Sequence, residues 1–393
     1  MKLELFPSVD PSFLSYVDAR TSVGQTLSWW RATDFFQYPK LTASALLWAK
    51  TSFLRSKLRA PKGTRIAYEL IGQGYEPFDM LVEKAIQNVE EDDLIIVPSA
   101  EDSPELSEKQ FFKVPQEVGV VLAPVLGGEL AEMEKWVGQA QFLDGYHVSA
   151  ANDLPTITGA FILQHEFFPT KRLHLRGVSG EKAFQLTAAL SSRSEGLVSV
   201  ETSAHLAGAT AGIYFRPNSV KGLVRLLKGT ELDSIPCDCP VCSSVLEFGA
   251  LSEKVPARTV PILLHNLYQV IRYARIYENV YPIYQQAKAE ELRKSGSSSM
   301  SGFHPDVLDF LEGYEFYLEH GWSIAKDQPL AVLGSTDPSQ KRLHQIPSSP
   351  PPEPCIVCGE EEGRTPFKSV IGEGLICENC RRFFEEAEKV EQP

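Results

Sequence analysis

Long hydrophobic runs are missing from this 393-residue chain. No stretch of about 18 apolar residues occurs, and the N-terminus lacks the pattern of a secretory leader, so the expectation is a soluble, cytoplasmic protein that does not engage a membrane. Cysteine is scarce and clustered. All seven thiols fall into two groups, three at Cys237, Cys239 and Cys242 and four at Cys355, Cys358, Cys377 and Cys380. None is left over for a disulfide framework, which fits a reducing compartment. Positive charge is also in short supply: 38 Lys and Arg against 51 Asp and Glu give a net charge of −13, an awkward balance for a binder of phosphate backbones.

What cation content there is lies in patches. Lys50, Arg55, Lys57, Arg59, Lys62 and Arg65 form a run without an acid among them. Smaller groups occur at Lys171, Arg172 and Arg176, and at Arg216, Lys221, Arg225 and Lys228. Each reads either as a solvated face or as part of a phosphate track.

A hydrophobic content of 43% is ample for one large domain and a small appendage. Residues 1–60, rich in aromatics (Trp29, Trp30, Phe35, Phe36, Trp48), read as packed helices and turns. From residue 61, short apolar runs alternate with helical patterns. Strands are expected at Arg65–Ile71, Leu94–Val97, Val118–Ala123, Gly145–Ser149, Arg172–Leu175 and Leu197–Glu201. Helices are expected at Met80–Val89, Glu129–Gln141, Glu181–Ser191, Ser219–Lys228, Val260–Ala274 and Asp306–His320. Such alternation implies a parallel sheet extending to about residue 336. Residues 337–354 form a Pro-rich linker, and 355–393 a small terminal unit.

The densest chemical signal is Cys237-Asp-Cys-Pro-Val-Cys242, with His265 following in Leu263-Leu-His-Asn-Leu-Tyr268. Three sulfurs and one imidazole complete a tetrahedral Cys3His zinc site. Such a shell has no open position for an activated water, so the site is structural and the chemistry must lie elsewhere. The spacing Cys355-x2-Cys358 and Cys377-x2-Cys380 gives a second zinc site of ribbon or knuckle type, serving structure and docking or a nucleic-acid contact.

The first cysteine run and the His-Asn-Leu-Tyr that follows it resemble the zinc segment of the tRNA-guanine transglycosylases, most closely its archaeosine branch. The resemblance is strong over about residues 170–275, weaker over about 60–150, and absent at both ends. It implies a zinc-bearing (β/α)8 barrel that exchanges guanine in a nucleic acid for a 7-deazaguanine. The family's nucleophilic aspartate falls on Glu201, after Leu197-Val-Ser-Val200, and its other catalytic aspartate on Glu69, after Arg65-Ile-Ala-Tyr68. The bland alternative for Glu201 is a pairing with a nearby arginine. Val121-Leu-Ala-Pro-Val-Leu-Gly127-Gly128 resembles the family's strand and glycine turn, with Leu126 where a glutamine reads the purine. Ser99 stands at the family's purine-binding aspartate, with Glu101 and Asp102 just beyond. Asn152 and His147 are further candidates for reading the base edge, and His174 and His205 read as packing residues.

Two carboxylates suit this chemistry, one as nucleophile at the anomeric carbon and one as acid and base at the departing and arriving bases. Three functions follow from the resemblance. DNA is the favoured polymer, with a base such as preQ0, because the usual tRNA-binding appendage is missing. The others are tRNA modification by the same chemistry, and a catalytically silent paralogue that binds nucleic acid or a partner subunit. Family members are often dimers, so a homo-oligomer is possible.

Overall fold

The computed structural model describes residues 3–9, 16–17, 24–25, 38–48, 53–58, 60, 62–70, 77–99, 104–111, 113–115, 117–210, 213–215, 223–225, 237–244, 262–272, 304–326, 364–369 and 372–377. The chain divides into two compact units, Met1–Thr336 and Asp337–Pro393.

The first unit is a closed barrel of eight parallel strands. In chain order they are β1 (Leu3–Val9), β2 (Lys40–Ala43), β3 (Arg65–Glu69), β4 (Leu94–Ile96), β5 (Val120–Val125), β6 (Gly145–Ser149), β7 (Arg172–Arg176) and β8 (Val198–Thr202). Each pairs with the next, and β1 closes the ring by pairing with both β2 and β8. Stretches such as Leu94-Ile-Ile96 and Val121-Leu-Ala123 are buried on both faces, as parallel strands under a layer of helices require. Helices follow the strands: α1 (Ala45–Trp48) and α2 (Leu54–Leu58) after β2, α3 (Phe78–Asn88) after β3, α4 (Pro104–Phe111) after β4. After β5 come α5 (Leu130–Glu134) and α6 (Val137–Ala140), then α7 (Leu154–Phe167), α8 (Glu181–Ser191) and α9 (Ala204–Thr210) behind β6, β7 and β8. This is the (β/α)8 architecture expected from the sequence.

The N-terminal sixty residues are not a separate segment laid on a barrel that begins at residue 61. They supply β1 and β2, so the ring cannot close without them. Another expectation fails at Ser219–Lys228. Leu223–Arg225 is a strand, β10, paired antiparallel with β9 (Ile213–Phe215). The apolar residues of β9 give it a partner, and that pairing replaces helical hydrogen bonds.

Period-two alternation sorts the barrel strands into an outer and an inner face. Phe6, Ala67, Leu94, Ile96 and Leu122 form an apolar cluster of their own, separate from the large core under the helices. Leu173, Leu175, Val198 and Val200 belong to that outer core. Their alternates Arg172, His174, Arg176, Ser199 and Glu201 therefore share the inner face with Phe6, as do Glu4, Ser8, Arg65, Glu69 and His147 by the same period. The Phe6 and His174 rings meet edge to face at 6.0 Å.

The strand starts are closed by an ion cluster. Glu4 accepts from Arg65 at 2.6 and 2.9 Å and from Arg172 at 2.5 Å, and pairs with Lys40 at 3.3 Å. Burial disfavours the Glu4 carboxylate, but the bonds to Arg65 and Arg172 and the charges of Arg172 and Lys40 outweigh it and hold its pKa at about 2. Arg55 makes a two-pronged bond to buried Asp93, at 2.7 and 2.6 Å. Arg65 and Arg172 are thus committed to Glu4 inside the barrel, Arg55 on α2 is committed to Asp93, and Lys171 donates to the carbonyls of Ala140, Gln141 and Leu143. These four cations do not form a phosphate track.

Helix α10 (Pro240–Ser244) carries Cys242 and α11 (residues 262–272) carries His265, with Cys237 and Cys239 just before α10. Helix α12 (Pro305–His320) packs on α7 and α8, with Tyr317 donating to Glu166 at 2.8 Å. Among the described residues no helix is long and apolar enough to cross a membrane. In the second unit, β11 (Arg364–Ser369) and β12 (Gly372–Cys377) form an antiparallel hairpin with Ser369 opposite Gly372.

Candidate functional site

At the C-terminal mouth of the barrel, where the strands of this fold deliver reacting groups, β3 ends in Glu69, β7 ends in Arg176, and β8 carries Glu201 one residue before its end. The three side chains meet. Arg176 donates from Nη2 to Glu69 Oε1 and from Nε to Glu201 Oε2, the latter at 3.3 Å. The other Glu201 oxygen, Oε1, accepts from Ser8 Oγ at 2.9 Å. Trp48 Nε1 donates to the Glu69 carbonyl at 3.2 Å and fixes the end of β3.

Burial, followed by the charge of Glu201, pushes the Glu69 carboxyl up to about 7 despite the opposing pull of Arg176. Burial works against the Arg176 cation as well, but Glu69 and Glu201 outweigh it and hold the guanidinium charged. The arrangement is therefore two carboxylates on one fixed cation, with one carboxyl poised to carry a proton near neutrality.

Below this layer sit two histidines at matched register on β6 and β7, His147 and His174. His147 Nε2 donates to the Val97 carbonyl at 2.7 Å, and burial, then the Arg176 charge, pushes its pKa down to about 3. His174 Nδ1 bonds to Ser199 Oγ at 2.9 Å, and burial holds this ring well below its usual range too. His205 Nε2 donates to the Ser8 carbonyl at 3.2 Å, and burial again pushes its pKa down, to about 3. Burial thus disfavours the cationic form of all three rings, whose hydrogen bonds run to Val97, Ser199 and Ser8.

The candidates for reading a base are less concentrated. Ser99 lies half-buried just after β4, whereas Glu101 and Asp102 lie outside the described residues. Gly127 follows β5 at φ +133°, and a Cβ there would come within 2.7 Å of Glu132 Cβ, so the turn requires glycine. The Gly128 N–H donates to Glu132 Oε2 at 2.9 Å. Asn152, in the left-handed region at φ 68°, is engaged at both ends of its amide. Its Oδ1 accepts from the N–H groups of Ser179 and Gly180, both at 2.6 Å, and its Nδ2 donates to Ser179 Oγ at 2.7 Å. Asn152 thus ties the β6 loop to the β7 loop and the start of α8.

A candidate metal centre is assembled from the turn before α10, α10 itself and α11. Cys237, Cys239 and Cys242 and His265 of α11 bring four ligand atoms within 4.8 Å of one another. The sulfurs lie 3.7, 3.3 and 3.3 Å from His265 Nδ1. Zn–S bonds of about 2.3 Å and Zn–N bonds of about 2.0–2.1 Å at tetrahedral angles give an S···N edge of about 3.6 Å, so this group fits such an ion. His265 Nε2 donates to the Phe215 carbonyl at 2.7 Å, which leaves Nδ1 with the free lone pair a metal needs. The Tyr214 ring stacks on His265 at 3.7 Å, its hydroxyl lies 3.1 Å from Cys242 Sγ, and Asn266 bonds both Phe215 N–H and the Ile213 carbonyl. Of the second cysteine group, Cys355, Cys358 and Cys380 fall outside the described residues, and Cys377 ends β12.

Arg176 and Ser8 escaped the sequence reading as site residues. Arg176 counted there only as part of a basic patch, and Ser8 lay in a segment not assigned to the barrel. No local pattern marked Arg176, because its partners Glu69 and Glu201 lie 107 and 25 residues away in the chain. Compared with known proteins, the chain matches no protein-family model and no curated sequence.

Proposed function

We propose that this chain is a base-exchanging transglycosylase that replaces guanine in DNA with a 7-deazaguanine such as preQ0. The observation that carries the reading is the meeting of Glu69 and Glu201, from strands far apart in sequence, on the single guanidinium of Arg176 at the catalytic mouth of the barrel. Glu201 is the nucleophile, steered by Ser8. Its carboxylate bonds to the anomeric carbon as the bond to guanine breaks, and Glu69 gives its proton to the departing base. In the return step the incoming base gives its proton to Glu69, bonds to the anomeric carbon, and releases Glu201. An acid–base group with a value near 7 suits both transfers. The cysteines and His265 would hold Zn2+ in a closed shell that pins β9 to α11, and a second Zn2+ belongs to the four C-terminal cysteines; neither enters the reaction.

A second reading has its own support. Arg176 occupies both carboxylates, which also suits a structural ion cluster in a silent paralogue that binds nucleic acid or a partner. One assay separates these readings. Protein is incubated with preQ0 and either duplex DNA or bulk tRNA, the polymer is digested, and its nucleosides are weighed by mass spectrometry. Modified nucleoside in DNA is the expected result. The same product in tRNA alone assigns the chemistry to the other polymer, and no product in either favours the silent reading.

A further inference from the structure

Arg176 touches both carboxylates, and among the described residues the other groups beside them are a hydroxyl and three imidazoles whose charged form burial disfavours. Ser8 comes from β1, His147 from β6 and His174 from β7, and His205 follows β8. The lumen beneath holds an apolar cluster of Phe6, Ala67, Ile96 and Leu122, which separates this layer from the Glu4 ion cluster at the strand starts. An unbalanced charge has no other described partner there and would be costly.

We propose that Arg176 is the positioning residue that lets Glu69 and Glu201 exchange their charge states within one catalytic cycle, an inference that rests on the base-exchange reading. Before reaction the pair holds one proton and one negative charge: Glu69 is the acid and Glu201 the carboxylate. As Glu201 bonds to the anomeric carbon and the bond to guanine breaks, Glu69 loses its proton to the departing base. Glu201 is then a neutral ester and Glu69 the anion. The return step reverses this, because the incoming base protonates Glu69 as Glu201 departs with the bonding electron pair. Throughout, the pair carries one negative charge, and Arg176 bridges whichever member holds it. The guanidinium suits this task because Nε serves Glu201 while Nη2 serves Glu69, so the cation need not move. Part of what raises Glu69 is the Glu201 charge, which esterification removes, whereas the pull of Arg176 persists.

The test needs no turnover. Glutamate labelled with carbon-13 at its carboxyl allows Glu69 to be titrated by NMR in the full-length protein. Glu201→Gln stands in for the neutral ester and is expected to lower the Glu69 midpoint by about one pH unit or more. Arg176→Met is expected to raise it by a similar amount, and Arg176→Lys to return it towards the wild-type value. If Arg176→Met does not fold, Arg176→Gln supplies the uncharged variant. A midpoint unmoved by both Glu201→Gln and the uncharged Arg176 variant overturns the proposal. Base exchange by wild-type protein with an unmoved midpoint removes the role of Arg176 alone. A moved midpoint without exchange in any polymer removes the base-exchange reading instead.

Discussion

Ser8 donates a 2.9 Å hydrogen bond to Glu201, so the first strand of the barrel holds the proposed nucleophile on the last. The pairing of β1 with β8, which sets Phe6 opposite Glu201, brings residues from the two ends of the barrel sequence into one site. Fold closure and site assembly are therefore the same event.

Removal of residues 1–9 is expected to unfold the barrel rather than trim an accessory segment. It deletes a strand paired on both edges and buries no substitute for Leu3, Leu5 and Phe6. Circular dichroism melting checks this, and a cooperative transition near that of the full chain would contradict it. Ser8→Ala should fold normally and lose roughly tenfold or more in exchange rate, the worth of about 1.5–3 kcal/mol for a hydrogen bond to a charged group.

The Glu4 cluster predicts an acid limit to stability. Its carboxylate sits below its unfolded value, so its contribution is complete above about pH 4.5 and is lost as pH falls towards about 2. Glu4→Gln should cost about 3 kcal/mol at neutral pH, because Arg65 and Arg172 lose a buried charged partner. Urea unfolding between pH 2 and 7 measures both, and the variant curve should approach wild type at the acid end.

Glu69 acts with the opposite sign. Its folded-state pKa is raised, so its ionisation opposes folding progressively from about pH 4.5 to about pH 7. Glu69→Gln should therefore melt at a higher temperature than wild type at pH 8 and at nearly the same temperature at pH 4, while losing exchange activity. A variant less stable than wild type at pH 8 would show that the Arg176 bond, rather than the buried charge, dominates there. Sites that hold a buried charge for chemistry give up stability in this way.

Elemental analysis should find two zinc ions per chain. Cys239→Ser is expected to lose one of them and to lower the melting temperature, since Cys239 is buried in the core and shares the cluster with His265. Retention of both ions in that variant would remove the Cys3His assignment.

The parts of the barrel that read clearly in the sequence were those buried on both faces. Gly145–Ser149 and Glu181–Ser191 occur with the expected bounds, and the strands begun at Arg65, Leu94 and Arg172 are present. The first strand was illegible for a physical reason. Leu3–Val9 contains Glu4, Pro7 and Ser8, which break an apolar pattern, and the partners of Glu4 and Ser8 lie on β2, β3, β7 and β8. The metal ligands stood out because metal coordination needs dense, specific residue types. Glu69 and Glu201 stood out only through a resemblance, and Arg176 not at all, because an ion pair spanning 107 residues leaves no local pattern.

The measurement that tests the central claim most directly is the site of covalent attachment. Protein and duplex DNA are mixed without an acceptor base, quenched in denaturant, digested, and the peptides mapped by mass spectrometry. The account predicts a deoxyribose ester on Glu201 that disappears when preQ0 is added and never forms in Glu201→Gln. Full base exchange by Glu201→Gln, or an adduct on another residue, would contradict it.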